Sequence, residues 1–259
     1  MFRLQNPQML HMLEKSLRNS LPESLKEMTD DFDHYTNTYL VYSKDPKNCQ
    51  ECLGTSDVIN WKQHLQIQSS QSSLDEVIQS LAAVKFVGVK RSQCLLYMMP
   101  KTARKLVPFL LENKNFGPES GRPKAIDQEM FKLSSLEITH AALVNKFWHY
   151  GGNERSQRFI ERCIRTFLTT CLLGPEGTPV SWALIDHTGE MRMGGTVPQY
   201  RGQGLVSYVN YFQAQALENL GFPTYMHTDR DNKFIQKMSH TLQHILMPCD
   251  WNQWNCTPL

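Results

Sequence analysis

The sequence predicts a protein of the α/β class, more narrowly of the α+β type, and three observations lead to this prediction. Short runs rich in β-branched and aromatic residues alternate with stretches of helical periodicity, so the chain is neither all-α nor all-β. In the second half the predicted order of elements is β-α-α-β-β-β-α-β-α-β. A polar stretch rich in Gly and Pro, residues 113–124, separates the two halves. We therefore predict one domain over residues 1–117 and a second over 118–259.

The first half is predicted to begin with an amphipathic helix. Apolar residues recur at four-residue spacing from Met9 to Leu21, and a helix packed on the domain explains them better than a targeting presequence, in which Glu14 would be unusual. Ser73 followed by Glu76 has the spacing of a capping box, which predicts that a helix begins there. The other elements predicted for this half are strands over 35–43, 86–89 and 95–98, and a helix over 102–111.

In the second half, the residues that end helices and form turns are easier to identify. Two consecutive glycines, Gly151 and Gly152, end one predicted helix, and the turn at residues 187–189 separates two predicted strands. The strands predicted here cover 131–136, 171–173, 180–185, 190–197, 222–227 and 245–247, and the helices cover 138–150, 154–166, 205–220 and 233–240.

Charge and hydropathy exclude two classes of protein. The 27 Lys and Arg residues and the 25 Asp and Glu residues leave a net charge of +2. A protein that neutralises many phosphates of a nucleic acid has a larger basic excess, so we expect no nucleic-acid partner. No apolar run approaches the roughly 18 residues that a membrane span needs, so we expect no membrane partner.

The seven cysteines favour a reducing compartment, because their number is odd and the chain is too long to need a disulfide scaffold. Cys49 and Cys52 have the CxxC spacing of a zinc or thiol-redox site, but no second pair of ligands follows at matching spacing. His240 and His244 lie on one helical face without the Glu of a zinc-peptidase motif. We therefore predict two incidental thiols and no metal site.

The most specific feature of the sequence is Gln199-Tyr200-Arg201-Gly202-Gln203-Gly204, which lies between a predicted strand and the long helix that begins at Leu205. Small residues let the backbone approach a ligand, and the free N–H groups at the start of the helix form an anion site suited to a pyrophosphate. An ordinary turn with two glycines is the alternative. The pattern, its flanking elements and the strand order resemble the GNAT acyltransferase superfamily, in which this loop binds CoA.

Glu190 begins the strand that leads into this loop, and it is the candidate general base. Period-two alternation places it on one face with Arg192 and Gly194, and places Met191 and Met193 on the other. Direct acylation of an amine needs a group that removes a proton from the amine. A free glutamic acid has a pKa of about 4.3, so a useful base would need burial or a water relay. An exposed Glu at the end of a hairpin is the alternative.

Long stretches of the chain resemble the glycine N-acyltransferases of mammals, a family within the GNAT superfamily. The stretches that carry this resemblance are residues 33–39, 59–70, 147–163, 171–180 and 250–259. The resemblance implies a GNAT-like fold in the C-terminal half, with a mixed, mostly antiparallel central sheet, behind an α/β N-terminal module. It also implies transfer of an acyl group from benzoyl-CoA or a similar aromatic or short-chain acyl-CoA to the amine of glycine, through a ternary complex.

The resemblance also implies the roles of several residues. Acyl-CoA is then a co-substrate and no cofactor is permanently bound. The general base falls on Glu190, and the CoA contacts fall on residues 199–205 together with Met191, Met193 and Asn232. Many members of the superfamily carry a Tyr that protonates the departing thiolate, and counting from Asn232 that place holds Ser239, a weak candidate acid. We further expect a monomer in the mitochondrial matrix, which detoxifies acids by glycine conjugation.

The carboxylate of the acceptor amino acid is expected to need a cation. Arg192 shares the face of Glu190, and Arg155 or Arg158 could reach from the preceding helix, although each of the three could equally be an ordinary surface arginine. An aromatic acyl group would need an apolar pocket, which Phe147, Trp148, Met191 and Met193 could line; core packing explains these residues equally well. The sequence leaves the acceptor site open.

The chain departs from the family pattern in the N-terminal module. Relatives carry a few dozen further residues at the position between Lys26 and Glu27, so this module is expected to be incomplete. Two alternatives to an active glycine N-acyltransferase follow. One is a non-catalytic or weakly active protein that binds acyl-CoA, and the other is a related N-acyltransferase that uses another acceptor, such as glutamine.

Overall fold

The computed structural model describes residues 37–55, 58–99 and 130–259. Within them the chain forms six α-helices and nine β-strands. The helices are α1 (Pro46–Thr55), α2 (Asp75–Val84), α3 (Ala141–Phe147), α4 (Glu154–Thr166), α5 (Leu205–Asn219) and α6 (Lys233–Thr241). The strands are β1 (Thr38–Leu40), β2 (Leu65–Ser69), β3 (Val87–Met98), β4 (Lys132–Ser134), β5 (Thr169–Leu173), β6 (Pro179–Ile185), β7 (Met191–Thr196), β8 (Tyr225–Asp229) and β9 (Ile245–Pro258). The predicted α+β class is confirmed.

The strands form two sheets. One has five strands in the order β1-β2-β9-β3-β8, and the other has four in the order β4-β5-β6-β7. The four-stranded sheet is antiparallel throughout, whereas β1 and β2 run parallel. The sequence placed the strands of the second half in one central sheet, but β8 and β9 belong to the five-stranded sheet.

The described residues fall into two compact units. One comprises residues 97–99, 130–226 and 233–245, and the other comprises 37–55, 58–96, 227–232 and 246–259. The predicted boundary at 117/118 lies outside the described residues and stays a prediction. The C-terminal residues do not group with the rest of the second half, because β9 pairs antiparallel with β2 over five residues.

The unit that contains the four-stranded sheet is covered on one face by α5. Leu205 and Val209 of this helix pack against Leu172 of β5 and against Val180 and Ala183 of β6. Helix α4 begins where the sequence predicts, because Asn153 caps it: the Asn153 side chain accepts a hydrogen bond from the Ser156 N–H at 2.9 Å.

The other unit has its own apolar core. Leu65 and Ile67 of β2, Ile78 of α2 and Trp254 of β9 are buried there among the residues of one cluster. The predicted capping box of α2 is wrong: a 3₁₀ turn over Ser72–Leu74 precedes the helix, Leu74 is the N-cap, and no side chain caps it. The turn shifts the first helical residue by one position, so Ser73 cannot reach the cap amide.

Other predicted elements agree with the structure in place but not always in length. The two short strands predicted over 86–89 and 95–98 are one continuous strand, β3. The helix predicted over 138–150 is a 3₁₀ turn, Ile138–His140, followed by the shorter helix α3. The predicted first helix and the helix over 102–111 lie outside the described residues.

Candidate active site

The loop between β7 and α5 is a tight turn built on two glycines. A 3₁₀ turn over Pro198–Tyr200 follows β7, and Gly202 and Gly204 then adopt positive φ angles of 77° and 78°. Residues with a Cβ adopt this left-handed conformation at a cost, so glycine is required here. Gly204 is the N-cap of α5, and the first turn of that helix holds no acidic residue. The first N–H groups of α5 and the positive end of its dipole therefore face this loop without a competing anion.

Side chains on either side of the glycines hold the loop in place. The Tyr200 hydroxyl donates to the Glu176 carboxylate at 3.4 Å, and the Tyr200 ring meets Phe131 edge to face at 5.7 Å. The Arg201 Nε donates to the Thr196 carbonyl oxygen at 3.1 Å. These contacts fix the backbone of the loop, so its amides are held in position to meet an anion, and the exposed Arg201 keeps further guanidinium N–H groups that can do the same.

Strand β7, which leads into the loop, contains a β-bulge. Its pairing with β6 shifts between Trp182, which faces Gly195, and Leu184, which faces Arg192. Met193, at the bulge, has a positive φ of 55°, which is uncommon for a residue with a side chain. The Trp182 Nε1 donates to the Met193 carbonyl oxygen at 3.0 Å and holds this conformation. Bulges are frequent beside active sites because they re-aim the side chains that follow them.

The strict alternation of side chains predicted along β7 is wrong beyond the bulge. Met191 and Met193 are both buried, as predicted for one face, and Arg192 is half-buried, but Gly194 is exposed because the extra residue breaks the period of two. A methyl group at Gly195 would lie 3.0 Å from the Trp182 ring, so a side chain there would force that ring to move by a few tenths of an ångström. Beyond the bulge, the strand therefore continues toward the loop with two residues that have no side chain, Gly194 and Gly195.

Glu190 lies immediately before β7, and only 1% of its surface is exposed. The alternative of an exposed hairpin-end Glu is therefore wrong. The Glu190 carbonyl oxygen accepts from the Asp186 N–H at 3.1 Å, which closes the hairpin between β6 and β7. A buried carboxylate is unusual and points to a site whose chemistry needs it.

Asp186 is the central residue of this hairpin, and sequence reasoning missed it. Its side chain is completely buried. One oxygen, Oδ1, accepts from the Thr188 N–H at 2.9 Å, from the Thr188 hydroxyl at 2.5 Å and from the Glu190 N–H at 3.3 Å. The other, Oδ2, pairs with the Arg192 Nη1 at 3.2 Å. An Asp two residues before a Thr at a turn is the signature of an Asx turn and could have identified it.

The charges of this cluster act on one another. Burial alone would raise the pKa of Asp186, but the nearby His187 and Arg192 and the hydrogen bonds from Thr188 outweigh it and lower that pKa. Burial would lower the pKa of Arg192, but the carboxylates of Asp186 and Glu190 raise it. Asp186 and Arg192 are therefore both ionised, and Arg192 lies within the electrostatic reach of Glu190.

Tyr225, at the start of β8, is a second residue that the sequence did not indicate. Its hydroxyl donates to the Thr188 carbonyl oxygen at 2.7 Å, in the turn that precedes Glu190. Burial raises the pKa of Tyr225, and the charges of Glu190 and Asp186 raise it further. The phenol is therefore neutral at physiological pH and serves as a fixed hydrogen-bond donor.

Aromatic side chains lie beside Arg192. The Arg192 guanidinium carbon is 5.9 Å from the centre of the Trp148 ring, which stacks on Phe159 at 6.0 Å. His187 also meets Phe159, edge to face, at 6.2 Å. The predicted apolar residue Phe147 lies 6.0 Å from Trp182, the ring that holds the bulge. This aromatic cluster adjoins the Asp186–Arg192 pair.

The remaining residues predicted for the site differ in how exposed they are and in where they lie. Arg155 is half-buried and Arg158 is exposed on α4, while Gln199 and Arg201 are exposed in the loop. Asn232 is exposed in the unit that contains the five-stranded sheet. Ser239 is completely buried in α6, and its hydroxyl makes no hydrogen bond within the described part of the chain. Complete burial disfavours Ser239 as the acid, because an acid must meet the departing thiolate.

The two pairs of residues whose spacing was considered for a metal or redox site are Cys49 with Cys52 and His240 with His244. Cys49 is buried and Cys52 is exposed in α1, and burial, followed by the neighbouring Cys52, raises the pKa of Cys49. Among residues 37–55, 58–99 and 130–259, no group of three or more His, Cys, Asp or Glu side chains could hold a metal ion. In the same ranges, no helix has the length and apolar character of a membrane span.

The fold, the glycine loop at the start of α5 and the bulged strand before it define an acyltransferase of the GNAT type. Two models of one family match the chain: aralkyl acyl-CoA:amino acid N-acyltransferase over residues 25–168, and the C-terminal region of that enzyme over residues 170–258. The chain belongs to this family.

Similar proteins agree with this assignment. Glycine N-phenylacetyltransferase of Bos taurus is 62% identical, and glycine N-acyltransferase of Homo sapiens is 60% identical; each alignment covers 100% of both chains. An X-ray structure of a Drosophila protein superposes with a TM-score of 0.68 at 12% identity, over 97% of this chain and 89% of that one. A structure described as a GNAT-family acetyltransferase of Novosphingobium aromaticivorans superposes with a TM-score of 0.50 at 11% identity, over 96% and 99% of the two chains. At these identities the two structures show the fold alone.

The alignments also bear on the length of the chain. Each of those two relatives aligns over 295 positions, and this chain has 259 residues, so at least 36 positions (295 minus 259) are gaps in this chain. Both ends are covered, which places these gaps inside the chain. The prediction of an internally shortened chain agrees with this number, and the position at Lys26/Glu27 lies outside the described residues.

Proposed function

We propose that this chain transfers the acyl group of an acyl-CoA to the amine of glycine, which gives an N-acylglycine and free CoA. The observation that carries the proposal is the position of Glu190. It is a buried carboxylate at the start of the strand that runs through a bulge to the amide-lined loop. Full-length relatives at about 60% identity, named for transfer to glycine, support this choice of acceptor.

The proposed reaction is a direct attack within a ternary complex. Glu190 accepts a proton from the ammonium form of glycine, and the amine nitrogen then forms a bond with the thioester carbonyl carbon. As the carbon–sulfur bond breaks, the nitrogen loses its second proton to solvent. The electron pair of that bond leaves with the sulfur as CoA thiolate. Ser239 is buried, so solvent supplies the thiolate with a proton, or the thiolate leaves unprotonated.

The loop over residues 199–205 is proposed to hold the pyrophosphate of CoA through its backbone amides. Gly202 is exposed, and the space around its Cα is open, so a ligand can approach the backbone closely. Met191 and Met193 are buried on either side of Arg192 and are proposed to lie along the acyl-pantetheine arm. Acyl-CoA is thus a co-substrate, and the proposal needs no permanently bound cofactor.

Arg192 is one candidate for the carboxylate of glycine. Its Nη1 already pairs with Asp186, but a guanidinium has five N–H donors, so others are available to a second carboxylate. Arg155 and Arg158 on α4 are the other candidates. A loss of affinity for glycine in only one of Arg192→Gln, Arg155→Gln and Arg158→Gln would identify the cation.

The test is the release of free thiol from a panel of acyl-CoAs, including benzoyl-CoA and phenylacetyl-CoA, against a panel of amino acids. Glycine is expected to support release. Glu190→Gln is expected to reduce the rate about 100-fold or more at neutral pH and less at high pH, where the amine is already deprotonated. Glu161→Gln is the matched control, because the Glu161 carboxylate accepts a hydrogen bond from Gln157 of its own helix, and its substitution is expected to leave the rate unchanged. Full activity of Glu190→Gln would overturn the base role.

The shortened chain favours one second candidate function, a protein that binds acyl-CoA with little or no turnover. At least 36 aligned positions of the relatives are missing here (295 minus 259), and these could carry part of the acceptor site or of the N-terminal core. Thermal stabilisation by benzoyl-CoA without thiol release for any amino acid would support it. Release with glutamine but not glycine would instead identify a related acceptor.

The cellular setting is part of the same proposal. We propose a monomer in the mitochondrial matrix, where it would conjugate aromatic and short-chain acids for removal. Light scattering on the purified chain tests the monomer, and subcellular fractionation tests the compartment. An oligomer in solution or a cytosolic fraction would overturn the respective part.

A further inference from the structure

We propose that Asp186 is a positioning residue for this reaction: it holds the turn that carries Glu190, and it neutralises Arg192 beside that carboxylate. The inference rests on the proposed role of Glu190 as general base. Asp186 has no counterpart in the sequence-based prediction of the site, and its carboxylate accepts four hydrogen bonds from residues of the hairpin between β6 and β7.

The first part of the inference is geometric. Three N–H or O–H groups of the turn converge on Asp186 Oδ1: the amide and hydroxyl of Thr188 and the amide of Glu190. The Asp186 N–H in turn donates to the Glu190 carbonyl oxygen at 3.1 Å, and the Gly189 N–H donates to the Asp186 carbonyl oxygen at 3.0 Å. Glu190 is thus tied to Asp186 through both its amide and its carbonyl group. The direction in which the Glu190 side chain leaves the backbone is set by this turn.

The second part is electrostatic. Arg192 follows Glu190 by two residues, and its charge is balanced by Asp186 Oδ2 at 3.2 Å. His187 and Arg192 act on Asp186 from the hairpin itself, Cys163 faces the pair from α4 with Arg162 beside it, and Tyr225 faces the pair from β8. The Cys163 thiol is neutral, because burial and the charge of Asp186 raise its pKa. The Tyr225 phenol is neutral as well.

Asp186 therefore pairs directly with Arg192, and the charge of Glu190 acts on the same guanidinium. Without Asp186, a larger share of the Arg192 charge would act on Glu190. An adjacent cation favours the ionised form of a carboxylate and makes it a weaker base. The negative charge of Asp186 thus offsets the effect of the Arg192 charge on Glu190.

The test is Asp186→Asn, which keeps the shape and one acceptor oxygen but removes the charge. We expect kcat for thiol release to fall about 10- to 100-fold, because a small misplacement of a reacting group has an effect of this size. The KM for acyl-CoA should change less than about threefold, because the hydrogen bonds of the Asp186 side chain go to residues 188, 190 and 192 and not to the loop over 199–204. The acid limb of the pH–rate profile should move to lower pH, by about one pH unit. Glu161→Gln is the control for removal of a carboxylate and should move neither quantity.

A double substitution distinguishes the electrostatic effect of Asp186 from its effect on the conformation of the turn. In Asp186→Asn with Arg192→Gln, both charges of the pair are absent, so the acid limb should return close to its position in the unmodified protein. The lower kcat should persist, since the turn is still weakened. Arg192→Gln alone leaves the carboxylate of Asp186 without its cation and should move the acid limb of the pH–rate profile to higher pH. This variant keeps the proposal testable if Asp186→Asn fails to fold. If Asp186 had only a structural role, the acid limb of the pH–rate profile would not move in opposite directions in Asp186→Asn and Arg192→Gln.

Amide hydrogen exchange provides a measurement that does not depend on turnover. In Asp186→Asn the amides of Thr188 and Glu190 should exchange about tenfold faster, because a charged acceptor is replaced by a neutral one. The amide of Leu172 in β5 should be unchanged. Unchanged exchange at residues 188 and 190 would overturn the positioning role even if the chain released no thiol with any acceptor.

The two proposals can fail separately. If the unmodified chain releases no thiol, the proposed function is overturned, and the exchange data still decide whether Asp186 holds the turn. If the chain is active but Asp186→Asn keeps the kcat and the acid limb of the unmodified protein, the inference about Asp186 is overturned and the proposed function stands.

Discussion

Replacing Gly202 by alanine tests whether the shape of the loop, and not its side chains, binds acyl-CoA. Gly202 has a φ of 77°, and a Cβ built on it meets no atom within 4 Å. The substitution therefore introduces no clash, and its whole effect is on the backbone. An L-residue in this conformation costs about 1–2 kcal/mol. The loop can relieve that strain only by rotating the peptide groups on either side of residue 202.

The rotation would turn amides away from the bound phosphates. If the ligand forces the loop back, the strain of about 1–2 kcal/mol is subtracted from the binding free energy, which is a loss of affinity of about 5- to 30-fold. We expect this loss in the Kd for CoA or benzoyl-CoA measured by titration calorimetry. The kcat at saturating acyl-CoA should fall less than about threefold, because Glu190 and its turn are untouched.

Gly152→Ala is the matched control. Gly152 also has a positive φ, 94°, and also faces open space, but it lies between α3 and α4. Its substitution should reduce the stability of the fold by a similar amount and leave the Kd unchanged. If Gly202→Ala binds acyl-CoA as tightly as Gly152→Ala does, the amides of this loop are not the phosphate site.

Two further predictions concern stability. Tyr225→Phe removes the donor to the Thr188 carbonyl oxygen and should lower the free energy of unfolding by about 1 kcal/mol in a denaturant titration, whereas Tyr211→Phe, which removes an exposed hydrogen bond to Gln215, should have less than half that effect. Equal effects would contradict the role of Tyr225 in the turn. Burial lowers the pKa of His244 to about 4, so the unfolded chain binds a proton between about pH 6.5 and 4 that the folded chain does not, and stability should fall by about 3 kcal/mol as the pH is lowered through this window. His244→Leu should flatten that part of the curve, and an unchanged slope would assign it to other groups.

The parts of the fold that the sequence predicted well have strong local signals. Helix α4 was predicted over 154–166 and is found there, because an Asn cap precedes a regular apolar face. Helix α5 was predicted over 205–220 and ends one residue earlier, since Gly204 marks its start. In both cases the residues that begin the helix act within a few positions of it, so a single sequence contains the information.

The five-stranded sheet was harder to predict because two of its strands, β2 and β9, are rich in Gln and Asn. β2 was not predicted, and β9 was predicted over three residues and spans fourteen. These strands pair with each other, and Gln66 Nε2 donates to Asn255 Oδ1 at 2.8 Å across them. Amide side chains have low strand propensity and depend on such partners, which lie 189 positions apart in the chain. A local pattern cannot reveal a partner at that distance.

The same distinction explains which parts of the candidate site were predicted. The glycine loop and Glu190 were found because backbone conformation and position in a strand are local properties. The bulge at Met193 was missed because it depends on the Trp182 side chain of the neighbouring strand, which donates to the Met193 carbonyl oxygen. Tyr225 was missed for a similar reason, since it meets the turn from 37 positions away.

The position of Glu190, the proposed base, therefore depends on residues that do not react. Strand alternation alone predicts only that Glu190 and Arg192 share a face, which would leave a cation free to stabilise the carboxylate and weaken it as a base. The structure adds Asp186, whose two oxygens have different partners, since Oδ1 accepts from the amide of Glu190 and Oδ2 pairs with Arg192. One buried carboxylate thus sets both the direction and the electrostatic surroundings of another. In this family member, the residue that proton transfer would use and the residue that prepares it are four positions apart in one hairpin.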